Sequence, residues 1–153
     1  MSRIESRLSE LGLTLPDAPA PAANYVPFVR DGDLVWISGQ VPMRDGGFLT
    51  GKVGAELDVD QAAEAAKLCA LSLIAQVRKA CDGDLDRVVQ VVKLVGFVNS
   101  TPEFGDQSKV INGASDTMVE VFGEAGRHAR SAVSAASLPF GVAVEIEGVF
   151  RIK

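Results

Sequence analysis

The chain has 153 residues, a hydrophobic fraction of 47%, a charged fraction of 23% and a formal net charge of −5, with a pI near 4.9. This is the make-up of one globular domain large enough to bury a core. Lys and Arg are scattered, so the basic stripe of a nucleic-acid surface is missing, and no apolar stretch is long enough to span a membrane.

Ser2 to Leu13 places Ile4, Leu8 and Leu11 at helical spacing, which predicts a short amphipathic helix. Its alternation of charged and apolar residues lacks the apolar run of a signal peptide. Pro16, Pro19 and Pro21 end it, and Asp17 to Ala23 reads as a linker. The organisation is therefore an N-terminal helix and Pro/Ala linker over 1–23, then one domain over 24–153. Tyr25 to Val29 and Leu34 to Ser38 read as strands joined by the Asp31-Gly32-Asp33 turn. Gly39-Gln40-Val41-Pro42 breaks the second, and a Gly-rich loop to Gly54 follows, with a short strand at Phe48-Leu49.

Val59 to Cys81 is the clearest helix, capped by Asp58 and ended by Asp82-Gly83. Val88 to Val98 is a strand whose near-continuous apolar run predicts burial on both faces. Thr101 and Pro102 open a second long helix, running to Phe122 or Gly123. The strands His128 to Ala135 and Val142 to Ile152 follow, with Leu138-Pro139-Phe140-Gly141 turning between them. This order implies an α+β fold: a mixed sheet with two helices on one face. The other face carries apolar residues, Val35 and Ile37 or Leu34 and Trp36, mixed with a few charges, and that mixture suggests a subunit interface.

Cys69 and Cys81 lie on one predicted helix, about 18 Å apart along its axis, too far for a disulfide. Both read as core residues, and Trp36 as core or interface. With one histidine and no CxxC, no metal site is expected. The cysteine usage points to the reducing cytoplasm.

The most informative constellation is His128-Ala129-Arg130-Ser131, Leu138-Pro139 and Val144-Glu145-Ile146-Glu147. The Leu-Pro turn makes the strands of Arg130 and Glu145 neighbours. A guanidinium is a bidentate fork for a carboxylate, and a nearby Glu can position or activate a water. Together they suggest a pocket for a small acidic substrate and a hydrolytic step. Alternation puts His128, Arg130 and Ala132 on one strand face, Val142, Val144 and Ile146 under the helices, and Glu145 and Glu147 on the far side. If Arg130 shares the face of Glu145, an Arg–Glu pair lies away from the helices. By spacing alone, a structural ion pair explains Arg130 better than a ligand site does, and Glu145 alone reads as a solvated or paired strand residue. Tyr25 fits a pocket or an interface equally, Gly39 a bulge, and His128 a pocket wall or interface better than a general base. Ser131 has no His/Asp partner at a recognisable spacing, so no serine nucleophile is expected there.

From Tyr25 onward the sequence resembles the RidA (YjgF) family of enamine/imine deaminases. The markers are Ser38-Gly39-Gln40-Val41-Pro42, Ala129-Arg130-Ser131, Leu138-Pro139 and Glu145-Ile146-Glu147. The resemblance implies a chorismate-mutase-like trimer, its three sheets forming a central barrel with active sites between subunits. It implies that Arg130 binds a substrate carboxylate and Glu145 holds the attacking water. Tyr25, Gly39, Asn112 and Ala132 would line the site. The implied reaction is cofactor-free hydrolysis of 2-imino or enamino acids to 2-keto acids and ammonia. Departures from the family pattern are Ala23-Asn24 before Tyr25, His128 before Ala129-Arg130, and Ala132 where many members carry Cys. These altered flanks motivate a second reading, a non-catalytic small-carboxylate-binding or regulatory module on the same fold. Mutase chemistry would want more than one basic residue in the cleft, and the acidic charge argues against ribonuclease activity.

Overall fold

The computed structural model describes residues 1–153. Helix α1 (Arg3–Glu10) starts where Ser2 Oγ accepts the Glu5 amide at 3.2 Å. The amides of Arg3 and Ile4, orphaned at a helix start, donate to the Asp86 carboxylate at 2.9 Å each. These two bonds, Ile4 first, hold the Asp86 carboxyl below the ordinary aspartate range. Ile4 and Leu8 enter the core, so α1 is docked rather than dangling.

Strands β1 (Phe28–Asp31) and β2 (Leu34–Gln40) form the expected hairpin, with Asp31 opposite Leu34 and Gly32 at φ +62°. β1 begins at Phe28 rather than Tyr25 because Pro27 has no N–H to give to a ladder; its carbonyl only accepts, from the Ser38 amide. β2 does not break at Gly39. It continues through Gln40 by way of a bulge, Ile37 lying opposite Gly148 and Gln40 opposite Ile146. A small hairpin, β3 (Met43–Arg44) and β4 (Gly47–Phe48), occupies the loop beyond.

Helix α2 (Val59–Ala80) opens with a capping box of Asp58 and Gln61. It closes where the Gly83 amide reaches back to the Arg78 carbonyl at 2.9 Å. Strand β5 (Val88–Asn99) follows, then α3 (Gln107–Phe122), β6 (Ala129–Ala135) and β7 (Val144–Ile152). α3 starts later than Thr101-Pro102 predicts. Thr101 to Phe104 form a turn instead, closed by the Phe104 amide on the Thr101 carbonyl and packed against Gly54.

The sheet order is β1-β2-β7-β5-β6, antiparallel except for the parallel β5–β6 pair. β6 and β7 are therefore not neighbours, as the Leu-Pro turn suggested; β5 lies between them. α3 carries the chain back so that β6 runs beside β5 in the same direction, and β7 returns into the gap between β2 and β5. There it finds an antiparallel partner on each side.

Both helices cover one face, α2 over β2 and β7, α3 over β5 and β6. Val35, Leu94, Val98, Val144, Ile146 and Phe150 are fully buried beneath them, and Phe122 meets Phe150 edge-on at 6.3 Å. Cys69 and Cys81 are free thiols in this core. The opposite face has no helix over it. It carries Leu34 and Trp36, not Val35 and Ile37, and then the rows Glu147–Val95–Ser131 and Glu145–Phe97–Val133. Trp36 is 51% exposed and Val133 46%. So β5 is buried on its helix side only, while Val95 and Phe97 on the other remain half-buried.

The two helices touch closely at Gly113, where an added Cβ would collide with the Ala63 carbonyl oxygen. Overpacking such a contact costs about 1–3 kcal/mol. Gly113→Ala is therefore expected to lower the urea midpoint by the equivalent of about 2 kcal/mol, measured by circular dichroism against wild type.

Candidate functional site

Glu145 stands on the uncovered face of β7, opposite Phe97. The β2 bulge brings the Gly39 backbone against its side chain, so close that a Cβ at position 39 would sit 2.9 Å from Glu145 Cδ. No side chain or amide of the chain donates to this carboxylate, and half-burial raises its pKa, with Glu147 on the same strand face adding to the rise. Glu145, Gly39 and Tyr25 together line a cavity of about 470 Å³.

The rest of that cavity is mostly apolar. Phe48 and Phe140 stack at 5.3 Å with planes 22° apart and form one wall with Met43. The linker stretch 19–23 forms another. This stretch is tied down from below: the buried Gln76 of α2 donates from Nε2 to the Pro19 carbonyl at 2.8 Å and, more weakly, to Gln40 Oε1 at 3.4 Å. Tyr25 Oη accepts the Ala22 amide at 3.3 Å.

Arg130 lies elsewhere. On β6 it is opposite Leu94, on the helix side of the sheet, whereas Glu145 is on the other side with β5 between. The Arg–Glu pair considered from spacing is not formed, because the two residues have opposite parity relative to β5. Arg130 instead reaches under α3, donating to Ser115 Oγ at 3.0 Å and to the Ser108 carbonyl at 3.1 Å. It has no carboxylate partner in the chain. Asn112 sits on the exposed α3 stripe between Ser108 and Ser115, and Ala132 is half-buried on the same side of β6.

His128 joins this second cluster: Nε2 is 2.8 Å from Ser115 Oγ and Nδ1 is 2.6 Å from the Gly126 carbonyl. Burial lowers its pKa most; the Gly126 bond opposes the drop and the Arg130 charge adds to it. The six predicted site residues thus fall into two sets, Tyr25, Gly39 and Glu145 in the cavity, and Arg130, Asn112 and Ala132 at the β6–α3 edge. No three His, Cys, Asp or Glu side chains converge to hold a metal.

Sequence reasoning missed Ser115, Gln76 and the Phe48–Phe140 wall. Ser108, Asn112 and Ser115 form a run of short polar residues at helical spacing that was available as a signal. Nothing local announces that Phe48 and Phe140, far apart in the chain, meet.

The carboxyl of Glu145 ionises at higher pH than a free glutamate, for burial first and for the Glu147 charge second. Removing that charge in Glu147→Gln is expected to lower the Glu145 midpoint while leaving it above the usual range, since burial remains. A carboxyl-carbon NMR titration of the two proteins reads this directly.

The family model described as "YjgF/chorismate mutase-like, putative endoribonuclease" matches residues 5–146. Protein TCP17 of Trypanosoma cruzi is 51% identical over 152 residues, spanning 98% of this chain and 94% of that protein. Among solved structures, the Agrobacterium tumefaciens protein Atu1372, described as of unknown function, is 53% identical with a TM-score of 0.92, over 98% of this chain and 92% of that one. A Shewanella oneidensis protein carrying the same endoribonuclease description is 35% identical with a TM-score of 0.94, over 97% and 99%. Matched over most of its length in sequence and in fold, this chain belongs to the YjgF/RidA family, with its chorismate-mutase-like α+β architecture.

Proposed function

We propose that the protein is a homotrimeric deaminase that hydrolyses 2-imino acids to 2-keto acids and ammonia at sites shared between subunits. One observation carries this reading: an uncompensated guanidinium and an uncompensated carboxylate occupy opposite faces of one sheet. A single copy cannot bring Arg130 and Glu145 to one small ligand. An edge strand with a free side, and a half-apolar face with no cover, are the surfaces through which copies would meet. In that assembly Arg130 of one subunit and Glu145 of the next face the same cleft.

The chemistry asks little of the protein. The imine carbon is already electrophilic. Arg130 holds the substrate carboxylate through two parallel N–H donors, which fixes the C=N group relative to the water. Glu145, a stronger base than an ordinary glutamate, takes a proton from that water as its oxygen bonds to the carbon. As the C=N π pair moves to nitrogen, the protonated Glu145 gives that proton to it, forming the neutral carbinolamine; Glu145 then relays the hydroxyl proton to the amine, the C–N bond breaks, and ammonia leaves a C=O behind. Gly39 leaves room for the carboxylate, Tyr25 closes the cavity, and Asn112 and Ala132 border the guanidinium. The apolar wall of Met43, Phe48 and Phe140 receives the substrate side chain. No step calls for a cofactor.

The test is an amino-acid oxidase that generates 2-imino acids, with semicarbazide trapping what remains. The protein is expected to reduce the trapped fraction, and Arg130→Ala to lower kcat/KM by roughly a hundredfold, the worth of a charge-assisted fork. Equal hydrolysis in wild type and Arg130→Ala overturns the assignment. Binding of a 2-keto acid without turnover moves it to a non-catalytic carboxylate module. Sedimentation is expected to give three times the 16.1 kDa chain mass. Gly39→Ala, which displaces the Glu145 carboxylate, is expected to leave that mass unchanged and to reduce kcat about tenfold. The acid limb of the rate falls as the Glu145 carboxylate takes up a proton, because the base must be ionised.

A further inference from the structure

Ser115 and His128 have the spacing of a nucleophile and its base: Oγ to Nε2 is 2.8 Å, with Nδ1 oriented by the Gly126 carbonyl at 2.6 Å. A third contact on the hydroxyl gives it another use: Arg130 donates to the same Oγ at 3.0 Å, so the serine links the imidazole to the guanidinium.

Hydrogen-bond inventory orders the cluster. The Gly126 carbonyl can only accept, so Nδ1 carries a hydrogen. In the neutral ring Nε2 is then an acceptor, and the only hydrogen within reach is that of the Ser115 hydroxyl. Ser115 must therefore turn its O–H toward His128 and its lone pairs toward Arg130. Burial keeps the ring neutral at working pH, helped by the Arg130 charge and opposed by the Gly126 bond. A second contact, from Arg130 to the Ser108 carbonyl at 3.1 Å, completes the hold on the guanidinium.

We propose that His128 and Ser115 are positioning residues that act in series, the imidazole setting the serine hydroxyl and the hydroxyl setting the Arg130 fork for a carboxylate ligand. The proposal rests on the reading of Arg130 as the carboxylate anchor. The two residues touch no reacting atom; they fix where the guanidinium presents its free donors. This gives the histidine of this chain a function at a position where the family resemblance offers none.

The experiment is calorimetric titration of the full chain with 2-oxobutanoate at pH 7.5, together with imine-hydrolysis kinetics. Ser115→Ala and His128→Leu are each expected to weaken binding about tenfold, the loss of one hydrogen bond to a charged group, and to raise KM while leaving kcat within about twofold. Because the two act in series, the double variant is expected to lose no more than either single one. His128→Gln, whose Oε1 can take the serine hydrogen, and Ser115→Thr, which keeps the hydroxyl, are expected to bind within about twofold of wild type. An unchanged dissociation constant in Ser115→Ala, or multiplied losses in the double variant, overturns the proposal. So does covalent capture of Ser115 by an alkyl fluorophosphonate, which would make it a nucleophile. Arg130→Ala separates the two layers: if it binds 2-oxobutanoate as wild type does, the carboxylate anchor itself is wrong. If it loses binding while Ser115→Ala does not, only the positioning pair is wrong.

Discussion

Both long helices of this protein lie on one side of a five-stranded sheet, and no helix covers the other. From that asymmetry the remaining features follow. Side chains alternate along each strand, so every strand of the sheet writes one set of residues into a sealed core and a second set onto an open surface. On β7 the sealed set is Val144, Ile146, Gly148, Phe150 and Ile152, and the open set includes Glu145 and Glu147. On β6 the side toward α3 holds Arg130 rather than a bulky hydrophobe, because this is the sheet's edge and the helix there presents serines. The same rule that buries Phe150 therefore sends the two chemically useful charges to opposite faces.

The open face is also where the fold departs from regularity. The bulge at Ser38-Gly39 adds one residue to β2 opposite β7, and the glycine leaves the volume that the Glu145 carboxylate fills. A regular strand with a side chain there would push the carboxylate out toward water and return its pKa toward the ordinary value. The cavity's outer wall comes from the N-terminal stretch at Pro19, held by Gln76. That buried amide has a further consequence. Its Nε2 is satisfied, but its Oε1, like the Ser72 hydroxyl one turn earlier, is a buried oxygen without a partner, a destabilising arrangement in a largely apolar helix face. Its effect in the fold is to hold the linker over the cavity.

How much of this was legible in the sequence depends on the range of the interaction. Local chemistry was readable: Asp58 capping α2, Gly32 turning the first hairpin, Ile4 and Leu8 on one side of α1. The helix expected at Thr101-Pro102 failed because a cap and a proline also make a turn, and Gly54, far away in the chain, packs on that turn. The family motifs located Arg130 and Glu145, yet the placement of their strands was misjudged. A Leu-Pro turn reads as a hairpin connection, and nothing in the segment itself says that β7 passes β6 and enters beside β5. That is decided by antiparallel partners on both of its sides. For the same reason the apolar run of β5 suggested two covered faces where one chain covers one.

The charges at the site are kept available by what surrounds them. An arginine in a salt bridge would have to give up its partner before taking a ligand carboxylate, and the exchange would leave a second anion to be accommodated. Arg130 is instead held by a hydroxyl and a carbonyl. Neutral oxygens satisfy the directional demand of the guanidinium without cancelling its charge, so its geometry is fixed and its attraction for an anion is intact. Glu145 is treated in the complementary way: it packs on the Gly39 backbone and shares its cavity with stacked phenylalanines, with no donor to stabilise its ionised form. Desolvation then raises its proton affinity. One charge is positioned by polar groups and kept strong, and the other is deprived of them and kept basic. The sheet keeps the two apart within a chain, so the Arg130 cation does not neutralise the Glu145 carboxylate.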